Sequence, residues 1–110
     1  MTVHSNLLFS GSFGDSSTHT LYTVPTGKRT IVKSIVPRNA GSSAGAVVIG
    51  LKNGATSEGN FGIWCTASGT NGDSAVVLPW IVLQVGWSLT VSFPTGSGGW
   101  ITVSGSELDD

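Results

Sequence analysis

The sequence predicts an all-β fold: one antiparallel β-sandwich of about eight strands, possibly jelly-roll-like. Three observations predict it. Every window of about a dozen residues is interrupted by Gly, Pro or a cluster of β-branched residues, so no helix signal survives. Short apolar runs bounded by turn residues recur along the whole chain. One of them, WSLTVSF, alternates strictly, placing Trp87, Leu89, Val91 and Phe93 on one face and Ser88, Thr90 and Ser92 on the other.

The predicted strands, in order, begin with Ser5 to Ser10 and His19 to Val24, short apolar runs bounded by turn residues. The turn VPTG follows, where Pro25 fixes φ and Gly27 supplies a permissive backbone, so it reads as a hairpin or a sheet-to-sheet corner. Thr30 to Pro37, Ala46 to Lys52, Phe61 to Ala67 and Ala75 to Leu83 come next. AVVIGL and AVVLPWIVL are apolar in both registers, which requires either two covered faces or an outer face that meets another protein. Gly50 and Pro79 inside them suggest a bulge or an edge position. Trp87 to Phe93 and Trp100 to Ser104 complete the set. GSFGDSST, AGSSAGA, KNGATSEGN, SGTNGDS and PTGSGG read as short loops between strands.

At 110 residues the chain is expected to form one domain, 1–110, with residues 1–4 and the acidic tail 106–110 as mobile ends. Charged residues make up 10% of it and the formal net charge is -1, which argues against a global pull on nucleic acid or anionic lipid. The N-terminal MTVHSNLLFSG lacks the pattern of a secretory signal, and no run approaches the ~18 apolar residues of a membrane span. A soluble product of the cytoplasm is expected, leaving it by lysis or within a particle. The one cysteine, Cys65, forms no internal disulfide and fits a small buried strand position.

Candidate chemistry is sparse. His4 and His19 lie outside any HxH, HExxH or CxxC setting, so no metal or cofactor is expected, and His19 reads as a solvent-facing strand residue. A Ser-His-Asp set would have to use His19 with Asp15 or Asp73, yet no G-x-S-x-G elbow is present. Glu58 and Asp73 are the carboxylate pair a glycosidase would need, but acids on Gly-rich segments read as solvated turn residues. No enzyme activity is expected.

Of the four tryptophans, Trp64 and Trp80 read as core, whereas Trp100, after a Gly-rich loop, reads as a rim residue. Two coplanar indoles on one sheet face would instead suggest a carbohydrate-binding module. All five cations (Lys28, Arg29, Lys33, Arg38 and Lys52) fall in one interval free of Asp and Glu, and the chain beyond it carries only acids. Either these charges serve the solubility of loop ends or they set the register of docking on an acidic partner. They are too few for a phosphate-tracking groove.

The pattern LYTVPTGKRTIVKSIVPRN, followed by LPWIVLQVGWSLTVSF and WITVSG, resembles a family of small β-sandwich virion proteins and modules of tailed bacteriophages. In that family a strand ending L-Y-x-V-P-x-G-K leads into V-K-S-I, and a later segment ends G-x-S-L-x-V. The likeness spans roughly Leu21 to Gly105. Family members often carry an acidic residue where this chain has Trp87, which is either a contact with a neighbouring subunit or a core plug. The resemblance implies a structural role in the virion, most readily as a capsid decoration (cement) protein at the capsid surface. Its partners would be the major capsid protein or another virion protein, and itself as a homo-trimer or other small homo-oligomer. Lys28, Arg29, Lys33, Arg38, Trp87 and Trp100 are the candidate docking residues. A tail, tail-tip or head-tail connector component and a host-surface glycan-binding module are the alternatives.

Overall fold

The computed structural model describes residues 3–42, 44–67, 69, 77–94 and 98–109, with the backbone alone for residues 3–6. Its strands are β1 (Val3–Phe13), β2 (His19–Thr23), β3 (Lys28–Asn39), β4 (Gly45–Asn53), β5 (Thr56–Cys65), β6 (Ile81–Leu83), β7 (Trp87–Ser92) and β8 (Gly99–Asp109). They form two four-stranded antiparallel sheets, ordered β1-β8-β3-β6 and β2-β7-β4-β5. Every sequential connection crosses between the sheets except β4 to β5, and that order is the jelly roll.

Alternation explains how the sheets meet. Val32, Ile35, Leu83, Ile101 and Val103 face inward from the first sheet, and Val47, Ile49, Leu89 and Val91 from the second, all with no exposed surface. Each such side chain contributes about 1.5–3 kcal/mol on burial. WSLTVSF faces as its alternation requires, with Leu89, Val91 and Phe93 in the core. Its polar face is only partly wet: Ser88 and Thr90 are 9% and 6% exposed, while Ser92 is half-buried. Cys65 is buried and forms no disulfide.

The stretch VPTG is a corner between the sheets. The Lys28 N–H donates to the Pro25 carbonyl at 3.1 Å across a turn whose Gly27 takes φ 79°, a conformation that favours glycine. A second corner, Gln84 to Trp87, repeats the geometry with Gly86 at φ 82°. Val24 stitches the two together, donating its N–H to the Trp87 carbonyl at 2.9 Å and accepting from the Gly86 N–H at 3.3 Å.

Beside these corners Tyr22 of β2 reaches across to the first sheet. Its hydroxyl donates to the Glu107 carboxylate and lies 2.8 Å from Thr30 Oγ1. Burial first, then the Glu107 hydrogen bond, pushes the phenol up to about 12. An acid whose folded value exceeds its unfolded value of about 10 gives stability that is complete below pH 10 and is lost as pH rises toward 12. Tyr22→Phe is therefore expected to cost about 1.5 kcal/mol at pH 7 in urea unfolding and to flatten the alkaline loss.

Several expectations from the sequence are corrected. The acidic tail is not a mobile end through residue 109, because β8 continues to Asp109 between β1 and β3; likewise Val3 and His4 belong to β1. KNGATSEGN is not a loop. Asn53 pairs with Thr56, so Gly54 and Ala55 alone make the hairpin turn, with Gly54 at φ 61°. Of the run ending LPWIVL, only Ile81–Leu83 is a strand, preceded by an isolated bridge from Val77 to Ile35. Ala75 and Val76 lie outside the described residues. Gly50 marks neither a bulge nor an edge, since it pairs on both sides, with Asn60 and with Thr90.

Candidate functional site

The loop after β1 brings Asp15, Ser17 and His19 together, so a hydrolytic arrangement can be tested on geometry. His19 Nε2 lies 2.8 Å from Asp15 Oδ1 and 3.3 Å from Ser17 Oγ, while Ser17 Oγ donates to the same Asp15 oxygen at 2.6 Å. A triad needs its acid and its nucleophile on opposite ring nitrogens. Here both address Nε2, and the serine proton goes straight to the carboxylate. The cluster is a loop cap, reinforced by the Ser17 N–H donating to Asp15 at 3.0 Å. The Ser17 bonds, then the His19 contact, hold the Asp15 carboxyl below its usual value. His19 is a correction: its ring stacks on Phe13 with centroids 4.1 Å apart and is half-buried, where a solvent-facing residue was expected. The side chain of His4, and Asp73 with its pairing to Glu58, lie outside the described residues. Among the described residues no three His, Cys, Asp or Glu gather in a metal-binding group.

The outward face of the β1-β8-β3-β6 sheet has a different character. Arg38 stands opposite Trp100 in the ladder, its guanidinium carbon 5.2 Å from the ring centroid. Lys33, the extra residue where the β3·β8 register shifts between Val32 and Ser34, reaches over Trp80 with Nζ 5.6 Å from the centroid. Arg29, Ile31, Val82 and Leu108 enclose a shallow groove of about 160 Å³ at the β6 end. Leu7, Trp80, Val82 and Trp100 are exposed at 58%, 62%, 53% and 48% on or beside this one face. Between the tryptophans runs a hydroxyl floor, in which Ser34 bonds Ser104 and Ser10 lies 3.4 Å from Thr102. No acidic residue occupies an outward register position on these four strands.

Trp80 itself is strained. Its φ of 51° puts a bulky residue in the left-handed region, the single non-glycine residue there among those described. Such a conformation costs about 1–3 kcal/mol and persists where the surroundings or a function enforce it.

Four of the six candidate docking residues, Arg29, Lys33, Arg38 and Trp100, therefore share one face. The other two do not. Lys28 is ion-paired with Asp109 at the corner end of β3, and Trp87 is half-buried against the core at the start of β7, in the opposite sheet. Trp64 and Trp80, expected in the core, are corrected to exposed positions. In FGIWC the inward positions are Phe61, Ile63 and Cys65, which forces Trp64 outward; that alternation was available in the sequence. Trp80 precedes β6 and turns out through its backbone, which no periodicity encodes.

No protein-family model matches the sequence, and no curated protein sequence matches it either. Solved structures do. The Drosophila NLP core, described for its pentamer formation and histone binding, aligns over 94% of this chain and 100% of its own, with TM-score 0.55 and 15% identity. A chain in the structure of infectious bursal disease virus, Gt strain, aligns over 96% of this chain and 30% of its own, with TM-score 0.48 and 11% identity. At such identity the likeness to the NLP core is one of fold.

Proposed function

We propose that this protein is a non-catalytic structural protein of a tailed-phage particle, a decoration protein that seats the β1-β8-β3-β6 sheet on the capsid lattice. The observation that carries the proposal is Trp80, an indole held out of the core by a strained backbone and flanked by Lys33. Together with Trp100 and Arg38 it supplies the residue types that dominate binding energy at protein interfaces. The sandwich measures 45 × 26 × 19 Å, so either broad face exceeds the roughly 800 Å² per partner of a standard interface. Arg29, Lys33 and Arg38 turn cations toward this face, and charges so sparse set register on a carboxylate-bearing partner more than they set affinity. Pentamer formation by the NLP core, on the same fold, supports self-association of such a sandwich around a symmetry axis. Many identical modest contacts on a closed shell then add by avidity.

Quantitative mass spectrometry of purified particles, split into heads and tails, tests this. Copies comparable in number to the major capsid protein and travelling with heads are expected. A few copies travelling with tails would move the protein to the tail tip or connector, and absence from particles would overturn a virion role.

A further inference from the structure

We propose that the outward face of the other sheet, along β4 and β5, binds a neutral oligosaccharide lying from Trp64 toward Asn60. This site stands on the opposite side of the sandwich from the docking face and goes beyond the reading above, and neither depends on the other.

A concavity of about 300 Å³ opens on that face. Val48 and Gly50 form its floor, and Lys52, Ser57, Asn60 and Thr90 stand around it. The glycine is required, because a Cβ at Gly50 would stand 2.4 Å from Thr90 Oγ1 in a residue only 6% exposed. Toward the other end of β5 the same face continues with Gly62 opposite Val48 and Trp64 opposite Ala46. Among the described residues of β4 and β5, no long side chain interrupts it between the indole and the concavity. Asn60 and Trp64 are about 13 Å apart along the strand at the usual rise per residue, which is room for a short oligosaccharide.

The chemistry of the lining selects the ligand class. Hydroxyls and a carboxamide both donate and accept hydrogen bonds, matching a molecule built of hydroxyls. Among the described residues the lining holds one cation and no carboxylate, so a highly charged ligand finds little complement. Trp64 is 66% exposed, and among the described residues no cation or aromatic ring lies over it, unlike Trp80 and Trp100. Its face is free to stack on the apolar side of a sugar ring. A peptide adding to the β5 edge is the competing occupant. The edge is blunted against it by the register shift between Leu51 and Lys52 and by Gly59 at φ 142°.

The test is an NMR titration of the full chain with maltohexaose, cellohexaose and chitohexaose in turn. At least one sugar is expected to shift the Trp64 indole and the amides of Gly50 and Asn60. Trp64→Ala should weaken that binding about tenfold and Asn60→Ala several-fold, both exposed and leaving the spectrum otherwise folded, while Trp100→Ala changes nothing. Any of three results would overturn the proposal: no response to any sugar, a response confined to Trp80 and Trp100, or sugar-independent shifts along β5 that grow with protein concentration. The last would assign the edge to a second copy of the chain.

Discussion

Gly105→Ala is expected to lower the thermal midpoint by about 12 °C, while Gly14→Ala leaves it nearly unchanged. Gly105 lies in the middle of β8, opposite Asn6 of β1 and Val32 of β3. A Cβ there would stand 2.1 Å from the Ile31 carbonyl oxygen and 3.2 Å from the Val32 Cα. These are backbone atoms of a paired strand, and they cannot swing aside as the tip of a side chain would. The methyl group must part β3 from β8, the two central strands of the first sheet, beside the register shift that frees Lys33. We set the cost at about 3 kcal/mol, the upper range for overpacking. That is a large fraction of the roughly 5–15 kcal/mol total of a small domain. At Gly14 an added Cβ meets nothing within 4 Å. Both substitutions change the unfolded chain alike, so their difference isolates the native clash. Calorimetry on the pair reads it directly, and equal midpoints would mean that β3 does not approach β8 this closely.

The second large effect concerns docking. Trp80→Gly combined with Trp100→Ala is expected to abolish detectable occupancy on heads without unfolding the protein. An interface tryptophan of this kind contributes about 2 kcal/mol, so the pair costs about 4 kcal/mol, close to a thousandfold in affinity per contact. Stability responds differently. At Trp80 glycine relieves the left-handed strain, about 1 kcal/mol or more, and that offsets the similar amount glycine adds to the freedom of the unfolded chain. Trp100 is 48% exposed, so its truncation opens no core cavity. Purified variants incubated with heads stripped of the protein, then pelleted, give the occupancy, and circular dichroism gives the fold. Full occupancy by a folded double variant would remove this face from the docking role.

The fold was legible because the core is written in a period of two. Val32, Val47, Ile49, Leu89, Val91, Ile101 and Val103 are all inward on alternating strands, and turn residues bracket most runs. Strand order was not legible, since it depends on which runs cross between sheets. Boundaries failed where polar residues continue a ladder: Thr56 to Asn60 of β5 and Ser106 to Asp109 of β8 look like loop and tail, yet they pair with β4, and with β1 and β3. The clustering of cations on β3 was visible as an interval, but which ones share a face depends on the shift at Lys33, which a strict alternation would misplace. Lys28 was separated from that group by a partner, Asp109, that lies 81 residues away in sequence. Trp64 follows from alternation, whereas Trp80 follows from one backbone angle.

The central claim is that the β1-β8-β3-β6 sheet faces the particle and the β2-β7-β4-β5 sheet faces away. A cryo-electron microscopy reconstruction of intact heads tests it most directly. The account predicts density for the sandwich at repeated lattice sites, with Trp80, Trp100 and Arg38 against the capsid and Trp64 toward solvent. Sandwiches seated through β4 and β5, or heads without them, would contradict it.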